Sequence, residues 1–173
     1  MKKFTKYRWF MILFVVAALL FFLSHFTNGV RESNLEVDAR EKQHIPSEWV
    51  AVSSSTDEVG ALLFYDPLSI DDYTYSIYVH KHRLVPGYVF SSGGKRSEIA
   101  SLCEIRMDKY GSVLFSLNRD HITRIKFSDG AVNGEYRVDA DTPFCLALPK
   151  NYGTIKMQDK NGKAIEERII IEE

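Results

Sequence analysis

One long apolar run lies near the N-terminus of the chain. Residues 9–23 are apolar without interruption, and the run continues through Ser24 and His25 to Phe26. As a helix, the segment 9–26 would be about 27 Å long, close to the hydrocarbon thickness of a bilayer. The four residues Lys2, Lys3, Lys6 and Arg8 precede the run, which predicts a cytoplasmic N-terminus. The pattern therefore predicts that residues 1–31 form a cytoplasmic tail and a transmembrane anchor of a single-pass cell membrane protein.

The same run could instead be a cleaved signal peptide. Signal peptidase requires small residues one and three positions before its cut, and the nearest match is the weak site Thr27-Asn28-Gly29. The bulky Phe21, Phe22 and Phe26 favour an uncleaved anchor. Both alternatives place the rest of the chain outside the cytoplasm.

Residues 32–47 are mostly polar and end near Pro46. They have too few apolar positions to predict a packing face, so we interpret them as a stalk with at most a turn or two of helix. The folded domain is then expected to occupy residues 48–173.

Residues 48–173 show short apolar runs separated by turn residues, the pattern of a β domain. The stretch Tyr73 to Val79 alternates cleanly, which predicts a strand with Tyr73 and Tyr75 facing the core and Tyr78 on the opposite face. Other strands are predicted at 48–52, 59–65, 84–90, 113–117, 122–127, 144–148, 154–158 and 164–171.

Several segments between these runs carry turn signals. Ser91 to Lys95 is predicted as a loop, Asn133-Gly134 and Asp129-Gly130 as turns, and Pro86 makes 84–90 an edge strand or a bulge. Residues 97–107 fit either a strand or a short helix capped by Ser97, and the capping residue favours the helix. The set predicts a mainly β fold, an antiparallel sandwich or barrel-like domain with at most one short helix.

Charge is unevenly distributed along the chain. Residues 32–173 hold 17 basic and 23 acidic residues, a net charge of −6, because the N-terminal 31 residues hold five basic residues and no acid. A net-acidic domain argues against nucleic-acid binding. The two cysteines, Cys103 and Cys145, could form a disulfide worth about 4 kcal/mol, or could be two buried thiols.

The candidate chemistry in the sequence is sparse. His80 and His82 would share one face of a strand and could reach one metal ion, but a third ligand is missing nearby and a solvated strand end is favoured. Ser116, His121 and Asp120 lie close in sequence but lack the context of an activated serine. We therefore predict no metal site and no cofactor.

Aromatic and basic residues between positions 73 and 90 give the best candidate for a binding surface. We predict binding residues at Tyr78, His80, His82, Arg83 and Tyr88, because tyrosine and arginine are enriched in binding hot spots. If these side chains are exposed, they suit a peptide, glycan or protein partner. The alternative, which the notable share of aromatic residues in strand cores favours, is that the aromatic side chains of this stretch pack in the core.

The end of the chain carries a resemblance. The stretch Tyr152 to Ile165, with its turn Asp159-Lys160-Asn161-Gly162-Lys163, resembles the last hairpin of small exported β domains of Gram-positive bacteria. A basic start followed by one apolar helix is similar to the layout of membrane-anchored proteins in that group. The resemblance implies an extracytoplasmic setting and no particular activity. We predict a non-enzymatic accessory or interaction module that binds a protein or cell-envelope partner; the alternative is a cell-envelope hydrolase whose residues converge only in the folded chain.

Overall fold

The computed structural model describes residue 9 and residues 11–19, 29–80, 87–128, 133–166 and 168–172. Residues 11–19 are helical with exposed side chains. Within these ranges, no helix is both long and apolar enough to cross a membrane. The predicted transmembrane segment is covered only in part, since positions 10 and 20–26 lie outside the described residues.

Between residue 29 and the first strand, the chain forms a 3-10 turn at Glu32–Asn34 and helix α1 at Leu35–Gln43. A second 3-10 turn lies at Ser97–Ala100. The strands among the described residues are β1 (Val50–Ser55), β2 (Val59–Asp66), β3 (Ser69–His80), β4 (Tyr88–Gly94), β5 (Leu102–Met107), β6 (Gly111–Ser116), β7 (Ile122–Ser128), β8 (Asn133–Arg137), β9 (Phe144–Leu148), β10 (Thr154–Asp159), β11 (Ala164–Ile165) and β12 (Ile169–Glu172).

These strands form three sheets of four strands each. The first sheet has the order β1-β2-β3-β4, the central sheet β12-β5-β6-β9 and the third sheet β11-β10-β7-β8. Among the strands described, the pair β12–β5 is the one parallel pair, and none of the three sheets closes on itself. The mainly β prediction is therefore confirmed, with stacked sheets as in a sandwich and without the barrel alternative.

The central sheet is buried on both faces because its strands alternate between two cores. In β6, Val113 and Phe115 pack against the first sheet, whereas Leu114 packs against the third sheet. All six residues of β6 and all five of β9 are buried. Full burial of a large apolar side chain contributes about 1.5–3 kcal/mol, so these two cores hold the layers together.

Strand β3 confirms the predicted alternation. Four side chains, those of Tyr73, Tyr75, Ile77 and Val79, join the core between the first and central sheets. The side chains between them, Thr74, Ser76 and Tyr78, contact helix α1 on the opposite face. Successive strand residues point to opposite faces, which is why this segment could be predicted from its pattern alone.

Helix α1 packs on the outer face of the first sheet. Leu35 and Ala39 are buried one turn apart, and Ile45 is buried just beyond the helix. They meet four buried residues of the sheet: Leu62, Phe64, Tyr78 and Tyr88. The expectation that residues 32–47 lack a packing face is wrong, because a narrow apolar stripe suffices where the sheet supplies most of the apolar surface.

Residues 97–107 combine the two predicted alternatives. The 3-10 turn at Ser97–Ala100 is followed by β5, so the preference for a helix is wrong for residues 102–107. Cys103 and Ile105 share the same core as Ile99. Pairing with β6 and β12 on either side gives this segment the backbone hydrogen bonds that a helix would otherwise make locally.

Two glycine-containing segments predicted as a loop and a turn are strands. Residues 91–94 belong to β4, the edge strand of the first sheet, and a Cβ on Gly93 would lie 2.6 Å from Nε2 of Gln43. Asn133 and Gly134 begin β8, where the ring of Phe127 occupies the space of a side chain at Gly134. These glycines permit close packing. The predicted Asp129-Gly130 turn lies outside the described residues.

The last hairpin is confirmed in its first half only. Strand β10 pairs with β11 through two residue pairs, Met157 with Ile165 and Gln158 with Ala164. The chain then leaves the third sheet, and β12 joins the central sheet beside β5. The single strand predicted at 164–171 is therefore two short strands in two different sheets.

Cys103 and Cys145 are both buried and carry thiols instead of a disulfide. They lie on β5 and β9, and both are paired with Phe115 of the intervening strand β6. Two strand spacings separate them by about 9–10 Å, beyond the Cα distance that a disulfide can bridge. Of the two alternatives left open by the sequence, the structure has the buried thiols, and burial raises the pKa of Cys145 to about 12.

Candidate functional site

Positive charge gathers on the outer face of the third sheet. In β7, Ile125 and Phe127 enter the core, so Lys126 between them points outward and is exposed. The same alternation in the neighbouring strands defines what we call the basic face: Arg124, Lys126, Glu135, Arg137 and Lys156. Four cations and one carboxylate thus share this face, although residues 32–173 carry a net charge of −6.

Glu135 is the central anion of the basic face. Its carboxylate lies 3.3 Å from Nε of Arg124, 3.3 Å from Nε of Arg137 and 3.6 Å from Nζ of Lys126. Desolvation opposes its ionisation, but the hydrogen bond from Arg137 and the charges of all three cations outweigh that effect and lower the pKa of Glu135. One carboxylate thus pairs with three cations, which leaves excess positive charge on this face.

Like charges lie directly opposite one another across the strands of the basic face. Lys126 of β7 is paired with Lys156 of β10, and Arg124 of β7 is paired with Arg137 of β8. Directly opposed like charges destabilise a sheet. The arrangement is therefore a source of repulsion that an anion bound between the strands would relieve.

A cavity of about 850 Å³ adjoins the basic face and separates the edges of two sheets. Its described lining comes from β10 and β11 of the third sheet, from Lys126 of β7, and from Glu166, Arg168 and Ile170 toward β12 of the central sheet. Among these residues, the charged ones are Lys126, Lys156, Glu166 and Arg168, and the apolar ones include Ile155, Ile165 and Ile170. We call this cavity the groove.

The groove exists because the chain changes sheet after β11. Strand β11 pairs with two residues of β10, so within the described sheet the stretch Thr154 to Lys156 has β7 on one side and no strand on the other. Strand β12 then lies at the edge of the central sheet, with Ile169 and Ile170 more than 40% exposed. Two strand edges thus line one space.

A fully buried carboxylate, that of Glu104, lies beneath the groove. Its Oε1 accepts hydrogen bonds from Nε of Arg106, at 2.6 Å, and from the Tyr152 hydroxyl. Its Oε2 lies 2.8 Å from Nε of Arg168, an ion-pair contact without the alignment of a hydrogen bond. Because Arg168 also lines the groove, it connects the buried charge to the surface site.

Glu104 also shapes the titration of its neighbours. Its hydrogen bond raises the pKa of Arg106. Burial raises the pKa of Tyr152, and the hydrogen bond to Glu104 adds to this effect. The Tyr152 hydroxyl and the Arg106 guanidinium therefore keep their protons at neutral pH. The 2.8 Å contact with Glu104 holds the Arg168 guanidinium beside the groove that it lines.

The predicted binding residues lie elsewhere, on the first sheet. Tyr78 is fully buried and donates a hydrogen bond to Oδ2 of Asp38 at 2.6 Å; burial and this bond raise its pKa. Tyr88 is also buried, and its hydroxyl donates to the carbonyl of Thr56 at 2.6 Å. The two tyrosines hold helix α1 and the adjacent turn against the sheet and do not present an aromatic surface.

Of the remaining three predicted binding residues, the structure describes only His80. Nε2 of His80 accepts a hydrogen bond from the backbone N–H of Gly87 at 3.2 Å, and its ring meets that of Tyr88 edge to face. His82 and Arg83 lie outside the described residues. Among the residues that are described, no group of three histidine, cysteine or acidic side chains is placed to hold a metal ion.

The serine, histidine and acid considered for hydrolysis have separate partners. Ser116 is buried, and its Oγ donates to the carbonyl of Ser101 at 2.6 Å. His121 is exposed, with Nδ1 2.7 Å from Oδ1 of Asp141. His121 thus has an acid within reach, supplied by Asp141 and not by Asp120.

Sequence reasoning missed the basic face and the groove. The signal for the basic face was available in the alternation Arg124-Ile125-Lys126-Phe127 and in Lys156 between two apolar residues. The groove gave no such signal, because it depends on the departure of β12 to another sheet. The chain matches no protein-family model, no curated protein and no solved structure. Function therefore has to be inferred from its own residues.

Proposed function

We propose that this chain is a membrane-anchored interaction module that presents the basic face and the groove to a partner outside the cytoplasm. The observation that carries the proposal is the groove itself, a cavity between two strand edges whose described lining residues include three cations and one acid. Concave sites with apolar walls and a few charged groups are the usual form of a recognition site.

The membrane tether rests on the apolar run at 9–26 and the basic residues before it. One contact supports a short connection between tether and domain. Val30 and Tyr88 exchange two backbone hydrogen bonds, with N–O distances of 2.7 and 2.8 Å. The chain from Phe26 to Val30 can reach at most about 14 Å. The folded domain would therefore sit close to the bilayer instead of on a stalk at 32–47.

A cell-envelope hydrolase is the second candidate, favoured by the contact between His121 and Asp141. Histidine held by an acid is a common general base. Both side chains are exposed, however, and the nearby serine, Ser116, is buried against Ser101. We therefore favour the interaction module.

Photocrosslinking in membranes tests the interaction. A photoreactive residue at Ala164, an exposed position in the groove, is compared with one at Lys109, an exposed position in the turn between β5 and β6. We expect Ala164 to capture a defined partner that Lys109 does not, and the paired change Lys126→Glu and Lys156→Glu to abolish the capture. Equal capture from both positions would contradict a binding site in the groove.

Cysteine labelling of intact bacterial cells tests the tether and its orientation. The native cysteines are buried, so a single Lys109→Cys substitution supplies the reactive thiol. We expect a membrane-impermeant maleimide to label it in intact cells. Labelling only after lysis would overturn the extracytoplasmic placement, and recovery of the chain without membranes would overturn the anchor.

A further inference from the structure

We infer that the occupant of the groove is an extended acidic segment of a partner polypeptide, added as a strand to the open edge of β10. This inference rests on the proposed function and names the chemistry of the partner. Addition of a strand to a sheet edge is an established mode of peptide recognition, in which backbone hydrogen bonds supply affinity and side chains supply specificity.

The edge of β10 is open next to the groove. All six residues of β10 are paired with β7, but β11 covers Met157 and Gln158 alone, so Thr154, Ile155 and Lys156 have no described strand beside them on that side. Of these three residues, Ile155 and Lys156 line the groove. A strand edge offers backbone N–H and C=O groups that pair readily with another extended chain. The groove, at about 850 Å³, has the volume for a short peptide segment.

Strand β9, at an edge of the central sheet, shows how another strand can cover the backbone groups of an edge in this protein. At β9, the backbone N–H of Ala147 donates to Oγ of Ser54 at 3.0 Å, and the Cys145 thiol contacts the carbonyl of Val52 at 3.2 Å. Side chain and backbone groups of β1 thereby occupy the β9 edge. Beside the β10 edge, the groove takes the place of such a covering strand.

Charge identifies the occupant as acidic. Lys156 points outward from the open edge, directly opposite Lys126, and Arg168 lines the same groove. Glu135 approaches Lys126 no closer than 3.6 Å. A carboxylate placed beside Lys156 would relieve the repulsion between the two lysines.

The alternation of β10 predicts the side-chain pattern of the occupant. Lys156 points outward, whereas Ile155 and Met157 point toward the core. An adjacent strand shares this period of two. The bound segment should therefore alternate acidic residues, on the side of Lys156, with apolar residues on the side of Ile155 and Met157.

Binding of synthetic peptides to the full chain in detergent micelles tests this inference. The probe is a fluorescent heptapeptide, Glu-Val-Glu-Val-Glu-Val-Glu. A second peptide carries lysine at each glutamate position. A third keeps the acidic sequence but has methylated backbone nitrogens at alternate residues, which removes hydrogen-bond donors without altering charge. Polyphosphate serves as a competitor that has charge without a peptide backbone.

We expect the acidic peptide alone to bind saturably, and the Lys156→Glu variant to bind it roughly tenfold more weakly. Lys156→Gln should give a smaller loss, and Lys109→Glu should leave binding unchanged. Circular dichroism and thermal unfolding establish that each variant is folded. Equal binding of the methylated peptide would overturn strand addition. Undiminished binding by Lys156→Glu, or preferential binding of polyphosphate in the groove, would overturn the acidic peptide as the occupant.

The crosslinking from Ala164 separates failure of this inference from failure of the proposed function. Capture that the lysine reversals abolish, together with no binding of the acidic peptide, would leave an interaction module whose partner has another chemistry. If neither the crosslinking nor the peptide binding is observed, the interaction module is overturned as well. Capture and selective peptide binding together would support both.

Discussion

The first and third sheets pack on opposite faces of the central sheet, but their outer faces differ in composition. The outward residues of the first sheet include the apolar or aromatic Leu62, Phe64 and Tyr78, and helix α1 covers them. The outward residues of the third sheet include Arg124, Lys126 and Lys156, and they are exposed or half-exposed. Both sheets use the same alternation of strand residues. The type of outward residue therefore decides which face becomes part of the core and which face remains for a partner.

The largest effect should come from truncating a covered side chain of the first sheet. Phe64 is fully buried beneath α1, and Phe64→Ala would remove its contacts and leave a cavity. We expect the free energy of unfolding to fall by about 4 kcal/mol, measured by urea denaturation. The matched change in the third sheet is Lys126→Ala, at an exposed outward position, with an expected change of under about 0.5 kcal/mol. Similar losses at the two positions would remove the distinction between the faces.

Two carboxylates sharpen the comparison between buried and exposed charge. Glu104 is fully buried and is held by Arg106, Arg168 and Tyr152, so Glu104→Gln would leave the two partly exposed arginines without their buried counter-ion. We expect a loss of about 3 kcal/mol. Glu135 also faces several cations but lies in solvent, and Glu135→Gln should cost clearly less stability than Glu104→Gln by the same denaturation measurement. An equal cost for both variants would show that burial does not set the strength of these ion pairs.

Two tyrosines compare a buried hydroxyl with an exposed one. The Tyr78 hydroxyl donates to Asp38, a bond that Tyr78→Phe would remove, and we expect a loss of about 1 kcal/mol. Lys42 still pairs with Asp38 in that variant, which limits the cost. Tyr136 of β8 is 44% exposed, and Tyr136→Phe should leave the unfolding free energy almost unchanged. A loss at Tyr136 as large as that at Tyr78 would be the contrary result.

Local patterns predicted which side chains of a strand share a face, but not which other element packs against that face. The alternation in β3 placed Tyr73 and Tyr75 in the core correctly, because strand periodicity depends only on neighbouring residues. The docking of α1 was not predicted because the helix has few apolar residues, of which Leu35 and Ala39 are buried. The apolar surface that covers these two residues belongs to strands β2 and β3. Burial of Tyr78 and Tyr88 follows from that docking.

The candidate site was missed for a related reason. The stretch 164–171 was predicted as one strand, although the charged residues 166–168 interrupt its apolar positions. The sequence does not show that the second half of this stretch leaves the third sheet to pair with β5. The groove follows from that crossing. Glu104 was visible as a single acid within the apolar residues of β5, yet its partners Tyr152 and Arg168 come from distant positions in the chain. Long-range pairing, and not strand propensity, was the missing information.

The smallest expected effect concerns the titration of Glu135 on the exposed face. Its lowered pKa means that its ion pairs contribute stability above the ordinary glutamate range, near pH 4.5, and that this contribution is lost as the pH falls through the lowered value. Arg137→Gln removes the hydrogen bond at 3.3 Å and should move the pKa of Glu135 upward toward that range, measured by carbon-13 titration of its carboxyl signal in NMR. The control Arg119→Gln removes an exposed arginine that pairs with Asp71 at a distant site and should leave the titration of Glu135 unchanged. If Glu135 instead titrates identically with and without Arg137, the hydrogen bond from Arg137 does not lower its pKa, and the charges of Arg124 and Lys126 would have to account for the whole shift.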